Sequence, residues 1–279
     1  MQGKIVAATG ATSGIGAKAV EALARQGARI VLVAREPTRA EATLARLEAV
    51  APGLRHRAYL ADLSLMREAS RVGAQIAAAE PRIDVLLNNA GAIFGDRRVT
   101  EEGLERTFAL NHMSYFIMTA RLAVALKAAA QGRVVSTASR AHRGARLDFD
   151  DLQSERGFTG WGAYQRSKLA NILFTRELAR RWAGDGVTAN CLHPGVVASR
   201  FADEAGGWTA RGFSLVKRFA LSPERGADTI VHLAHSPEVA DISGEYFAKR
   251  KIEACSGAAR NGYAARRLWE ISEDLMAHV

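Results

Sequence analysis

Residues 4–16 read KIVAATGATSGIG, and this stretch decides how the chain is to be folded. An apolar run at 4–9 passes without a spacer into Gly10, Ala11, Thr12, Ser13, Gly14, Ile15 and Gly16, and a helical pattern opens at 15. A strand, a glycine turn and a helix in that order let backbone N–H groups at the helix N-terminus approach a pyrophosphate. The glycines are spaced G-x3-G-x-G, not G-x-G-x-x-G, and a tight strand-to-helix turn needs no ligand to exist. Residues further along the chain have to decide whether this turn holds one.

Outward from that turn, apolar runs alternate with longer amphipathic stretches. Candidate strands lie at 4–9, 29–34, 56–60, 83–88, 133–138, 187–193 and 245–247. Most are continuous Val, Ile, Leu and Ala runs, as strands covered on both faces require. Helical patterns fall near 15–26, 38–50, 65–79, 101–129, 161–184, 223–235 and 260–277. Repeated βαβ units predict an α/β chain with a doubly wound, mostly parallel seven-stranded sheet and helices on both faces. No Pro, Gly or Ser-rich linker divides residues 1–279, which read as one domain. Two stretches interrupt the alternation. Residues 140–160 are polar and glycine-bearing and read as a long loop at the carboxyl edge of the sheet. Residues 200–222 hold Phe201, Trp208, Phe213 and Phe219 among basic residues, the composition of a substrate lid or of a core-facing helix.

Composition narrows the function classes. The 279 residues are 48% hydrophobic and 24% charged, which excludes wholesale disorder and fibrous repeats. The net charge of +9 is spread along the chain, with local groups at 140–146, 217–218 and 249–251, and has no aromatic interleaving of a nucleic-acid module. No apolar run reaches the length of a membrane span. Cys191 and Cys255 are the two cysteines, and Met1 stands three residues before the first strand. Both point to a reducing, cytoplasmic setting without a targeting segment. Cys191 and His193 share one side of a strand, but two ligands do not make a metal site, and no metal is expected. His142 and Arg143 lie in the 140–160 stretch, where a solvated loop is the common fate.

Polar groups gather at the carboxyl ends of the candidate strands, where open α/β sheets bind ligands. Asp62 and Leu63 follow the third; Asn89, Ala90 and Gly91 follow the fourth; Ser139 follows the fifth; Pro194 and Gly195 follow the sixth. Tyr164 and Lys168 stand four apart on the 161–184 helix, so phenol and ammonium share one face. A neighbouring cation favours phenolate, which would bring a tyrosine toward useful proton transfer.

With TGATSGIG at 9–16, NNAG at 88–91, Asn111, Ser139, YQRSK at 164–168 and PGVV at 194–197 all in order, the sequence resembles the short-chain dehydrogenase/reductase family over essentially its whole length. LDFDDL at 147–152, SKLANILFTRELARR at 167–181, LHPGVV at 192–197 and RRLWEIS at 266–272 look most like its retinol dehydrogenase-like branch, as does the long interval between Ser139 and Tyr164. The resemblance implies a catalytic tetrad of Asn111, Ser139, Tyr164 and Lys168. Tyr164 would exchange a proton with the substrate oxygen and Ser139 would hold that oxygen. Lys168 would lower the Tyr164 pKa and grip the nicotinamide ribose, and Asn111 would bend its helix and hold a water. The cofactor cradle would comprise Gly10, Thr12, Ser13, Gly14, Ile15, Gly16, Arg35, Asp62, Leu63, Asn89, Ala90, Gly91, Tyr164, Lys168, Pro194, Gly195, Val197 and Ser199. Val197 N–H and Ser199 would hold the carboxamide, with Ser199 standing where the family usually has Thr.

At the end of the second strand the family's acidic position falls on Ala34, and Arg35 follows, which favours NADP over NAD; Glu36 is the counter-argument. The resemblance further implies interconversion of a carbonyl and an alcohol on an apolar small-molecule substrate, by a homodimer or homotetramer paired through helices 101–129 and 161–184. A non-catalytic nucleotide-binding regulator or scaffold of the same fold is the alternative. Epimerases or dehydratases of nucleotide sugars fit the glycine spacing and the length less well.

Overall fold

The computed structural model describes residues 1–195 and 221–279. Strands β1 (Ile5–Thr9), β2 (Arg29–Ala34), β3 (Arg57–Leu60), β4 (Val85–Asn88), β5 (Gly132–Thr137), β6 (Val187–His193), β7 (Tyr246–Ala248) and β8 (Lys251–Ile252) form one sheet, in the order β3-β2-β1-β4-β5-β6-β7-β8. All neighbours are parallel except β7 and β8. The order doubles back between β1 and β4, and a crevice opens there at the carboxyl ends.

Alternation along each strand feeds two cores. Ala7, Val31, Val33 and Leu86 point to one face, where α3 (Met66–Ala79), α5 (Ser114–Arg121), α7 (Gly160–Arg181) and α9 (Gly262–Met276) pack. Val6, Ala8, Ile30 and Leu32 point to the other, against α1 (Gly14–Arg25), α2 (Pro37–Val50) and α8 (Pro223–His235). This two-sided burial is why the strands read as unbroken apolar runs.

Three expectations are corrected. The sheet has an eighth strand, because Lys249 and Arg250 both take positive φ (50° and 62°) and turn the chain back after β7. Two consecutive left-handed residues make the tight hairpin turn that normally advertises itself by Asn-Gly, and Lys-Arg carries no such signal. Arg250 is held there by its N–H to Thr229 Oγ1 at 3.2 Å and by its guanidinium on Asp228.

The single helix expected over 101–129 is broken. The buried Glu105 carboxylate accepts from Thr107 N and Phe108 N, so helix starts only at α4 (Arg106–Phe108). A π turn follows at Ala109–Met113, then α5, and after Leu122 comes α6 (Ala123–Lys127). The third correction concerns 140–160. A 3-10 turn at Arg140–Gly144 is packed into the protein, with His142 fully buried, and Leu147, Phe149 and Leu152 lie against the core.

Helix α9 seals the outer side of α5 and α7. Trp269 stands edge-on to Phe116 with ring centroids 4.9 Å apart and is stacked on Phe174 at 5.8 Å, while the Arg181 guanidinium lies over its ring. Part of the helix surface expected to meet a second copy is thus met by the chain's own C-terminal helix. Among the described residues no helix is long and apolar enough to cross a membrane.

Candidate active site

A cavity of about 380 Å³ runs from the glycine turn, past residues 89–92, to Ser139, Tyr164 and Lys168, with His193, Pro194 and Gly195 on the far wall. A smaller one of about 160 Å³ shares part of that lining and reaches Arg35, Asp62 and Leu63. Most of the residues singled out from the sequence therefore surround one crevice. Val197, Ser199 and most of the 200–222 stretch lie outside the described residues.

The turn after β1 is built for close approach. Gly10 and Gly14 have φ of 63° and 54°, and a Cβ on Gly10 would stand 2.7 Å from the Ala90 backbone. A Cβ on Gly16 would collide with the Gly10 carbonyl. Ser13 is the N-cap of α1, yet its side chain makes no capping bond among the described residues, and Gly14 and Ile15 of the first turn line the cavity with Thr12. An uncapped helix start facing a cavity is a place for an anion.

Asn89 ties three strand ends together. Its Nδ2 donates to Gly10 O at 2.9 Å, and its Oδ1 accepts from Thr137 Oγ1 at 2.9 Å. Thr9 Oγ1 accepts from Asn89 N and Ala90 N at 3.0 and 3.2 Å. Asn89 lines the cavity, but its amide serves the walls. Asp62 likewise spends Oδ1 on Ser64, from N at 2.9 Å and Oγ at 2.7 Å.

The four tetrad residues converge from three elements. Asn111 sits in the π turn, with Oδ1 accepting from Ala92 N and Nδ2 donating to Ala92 O, both at 3.0 Å, and also to Ser167 Oγ at 3.0 Å. The amide thus locks the 90–92 segment onto α7 from within the widened turn. Lys168 Nζ donates to Thr137 O at 2.9 Å. A Cβ on Gly91 would stand 3.1 Å from Asn111 Oδ1 and 3.6 Å from Lys168 Nζ, so the missing side chain is what lets these two groups share a space. Tyr164 is hydrogen-bonded to the Ser139 side chain, and Ser139 Oγ accepts from Ala141 N at 3.2 Å.

The electrostatics depart from expectation. Burial pushes the Tyr164 phenol up to about 12, against the lowering effect of the Ser139 bond. Burial also pushes the Lys168 ammonium down to about 7. The ammonium lies 5.7 Å from the centre of the Tyr164 ring, and desolvation outweighs the expected depression of the phenol. The tyrosine is protonated at neutral pH.

At the end of β2, Arg35 and Glu36 pair with each other at 3.6 Å, so the cation and the rival acid are neighbours. Burial holds the His193 imidazole down to about 4 on the cavity wall. Cys191 is buried in the core, and among the described residues no three His, Cys, Asp or Glu side chains are grouped to hold a metal ion. His142 is no solvated loop residue, and Arg143 is engaged by Glu253 at 2.9 Å.

The structure adds residues that the sequence pattern did not single out. Phe94, Leu110 and Trp161 line the larger cavity, Leu110 lines the smaller one as well, and Trp161 lies 5.6 Å from the Tyr164 ring. Arg39 lines both cavities. A signal existed for two of them: Trp161 is one turn before Tyr164 and Arg39 one turn after Arg35, positions that share a helix face or a helix start.

The short chain dehydrogenase family model matches residues 4–209. The chain belongs to the short-chain dehydrogenase family. This short-chain dehydrogenase falls in the retinol dehydrogenase-like branch. It is 39% identical to human retinol dehydrogenase 14 over 98% of this chain and 86% of that one. It is 36% identical to mouse retinol dehydrogenase 12, again over 98% and 86%. Among solved structures it is similar to an uncharacterised protein from Mycobacterium Paratuberculosis, with TM-score 0.80 and 28% identity over 99% of this chain and 94% of that one. It is also similar to the Pseudomonas aeruginosa RhlG/NADP active-site complex, with TM-score 0.70 and 28% identity over 93% and 97%.

Proposed function

We propose that this short-chain dehydrogenase interconverts a carbonyl and an alcohol on an apolar small molecule, using NADP(H) in preference to NAD(H). The observation that carries the reading is the meeting of Ser139, Tyr164 and Lys168 on one wall of a cavity whose other end is the uncapped start of α1. A non-catalytic nucleotide holder has no use for a buried lysine beside a buried phenol.

The residues fit a dinucleotide. The α1 start with Gly10, Thr12, Ser13 and Gly14 would take the pyrophosphate, and Arg35 the adenosine 2′-phosphate. Asp62, Leu63, Ala90 and Gly91 would flank the adenosine half, with Pro194, Gly195, Val197 and Ser199 beside the carboxamide. When bound, the reduced nicotinamide supplies the hydride. Tyr164 then gives its proton to the carbonyl oxygen, and Ser139 donates a hydrogen bond that fixes that oxygen. Lys168 holds the ribose and returns a proton to Tyr164, while Asn111 keeps the 90–92 wall in register. In oxidation the same groups run in reverse.

Phe94 and Trp161 at the Tyr164 end of the cavity support an apolar substrate, as do relatives named for retinol. NADP in the solved complex of a structural neighbour 28% identical to this chain and Arg35 at the β2 end support the cofactor preference. A dimer or tetramer of copies, part of the same proposal, has to use surface other than the patch that α9 covers. The test is NADPH oxidation over aldehydes and ketones of graded chain length: longer apolar carbonyls should be reduced faster, and a preference for short polar ones would overturn the substrate reading.

A further inference from the structure

His142 lies three residues beyond Ser139 and is fully buried. Its ring has two partners of opposite and fixed polarity. Ser256 N–H can only donate, and it reaches Nε2 at 3.1 Å, so Nε2 carries the lone pair. The Ser139 carbonyl can only accept; it takes the His142 backbone N–H at 3.2 Å and lies 2.6 Å from Nδ1, so Nδ1 carries the proton and adds a second, shorter bond to the same oxygen. Both bonds demand the same species, a neutral imidazole in the Nδ1–H tautomer. Burial, and secondarily the charge of Arg143, lowers its affinity for a second proton.

The segment that supplies Ser256 is itself fastened to the turn. Glu253 receives the guanidinium groups of Arg140 and Arg143, at 2.5 and 2.9 Å, and Arg143 also donates to Ala254 O at 2.8 Å. The ring packs edge-on to Tyr246 of β7, with centroids 5.0 Å apart. The chain beyond β8 therefore grips the peptide of Ser139 from behind, while Ser139 Oγ faces Tyr164 in front.

We propose that His142 is a positioning residue for Ser139: its Nδ1–H fixes the Ser139 peptide plane, and so the direction of Oγ, while Ser256 N–H selects the tautomer able to do this. The inference rests on the proposed function, in which Ser139 and Tyr164 meet a substrate oxygen. No sequence motif around Ser256 points to it, because the link spans more than a hundred residues.

The test separates the two ring nitrogens. His142→Asn places an amide N–H near the Nδ1 position and keeps the donor to Ser139 O; His142→Gln places its amide near Nε2 and keeps only the acceptor for Ser256. With decanal and NADPH, His142→Asn should keep kcat within about threefold of the wild type, and His142→Gln and His142→Ala should lose about tenfold or more, the scale of a misdirected reacting group. NADPH affinity, read by fluorescence, should stay within about twofold in all three. A purely structural histidine would shift melting temperatures without separating His142→Asn from His142→Gln in kcat, so equal losses in these two variants, or no loss in His142→Ala, would overturn the proposal. In the unmodified protein, 15N-histidine NMR should show the His142 resonance as Nδ1–H, assigned by its disappearance in His142→Asn. An Nε2–H ring would overturn the proposal whatever the turnover. Retained reduction in Tyr164→Phe would strike the functional reading instead, and the tautomer measurement does not depend on it.

Discussion

Lys168 Nζ and the Thr137 carbonyl, 2.9 Å apart, join α7 to the end of the central strand β5. The ammonium is 2% exposed, and among the described residues no carboxylate pairs with it. The folded protein holds this lysine's pKa down to about 7, against 10.5 in the unfolded chain. Below pH 7 both states carry the proton and burial of the charge is fully penalised. Between about 7 and 10.5 the unfolded chain binds more protons than the folded one, so stability rises with pH across that window and levels off above it. Melting curves of the wild type should show this slope. Lys168→Met, which leaves Thr137 O the amide of Asn171 as donor, should remove it and melt at or above the wild-type temperature at pH 7.

Tyr164→Phe removes the transferable proton and keeps the ring. Reduction of an aldehyde should fall by about 10²–10⁴-fold, the usual worth of a positioned acid, with NADPH binding little changed. With the phenol held up to about 12, it remains a proton donor through the neutral range, and reduction should show no alkaline loss from Tyr164 itself between pH 6 and 9. Progress curves for the two proteins over that range check both statements.

Arg35 and Glu36 share one ion pair, so each variant frees the other. Arg35→Ala should weaken NADPH by about tenfold, the loss of one charge-assisted hydrogen bond, and leave NADH nearly unchanged. Glu36→Gln should strengthen NADPH. Titrations of both cofactors would show whether the preference lies in Arg35, and equal weakening of NADH would move it elsewhere.

Asn111→Ala strands both polar groups of the Ala92 peptide and one partner of Ser167. Each unmet group costs about 1–3 kcal/mol, so with two backbone groups stranded thermal denaturation should reveal a loss of about 2–6 kcal/mol. Asn111→Asp retains the acceptor for Ala92 N but not the donor, and should fall between.

Trp161→Ala should raise KM for a long-chain aldehyde by about tenfold, as burial of an aromatic face is lost, and affect a short polar aldehyde much less. Steady-state kinetics on the two aldehydes distinguish the outcomes.

Residues 4–16 open the pattern and its repetition along the chain was enough for the fold class, because parallel strands buried on both faces and the helices between them are written as contiguous runs. Strands β2 and β6 and helix α8 were legible to the residue for the same reason. The glycine turn and the four-residue spacing of Tyr164 and Lys168 are local facts of the sequence, whereas Asn111 and Ser139 joined them only through the family resemblance. What tertiary structure alone decided was everything set by distant partners. Glu105 and Asn111 cut a long apolar pattern into α4, a π turn and α5, through bonds to Phe108 and Ala92 that no periodicity encodes. Lys249 and Arg250 turn a hairpin without turn residues, and Asp228 and Thr229 of α8 hold Arg250 in place. The Tyr164 pKa lies on the opposite side from the sequence argument, and burial of Lys168 adds a shift that argument did not address, since charge proximity can be read from spacing whereas desolvation depends on how completely the surrounding chain excludes water.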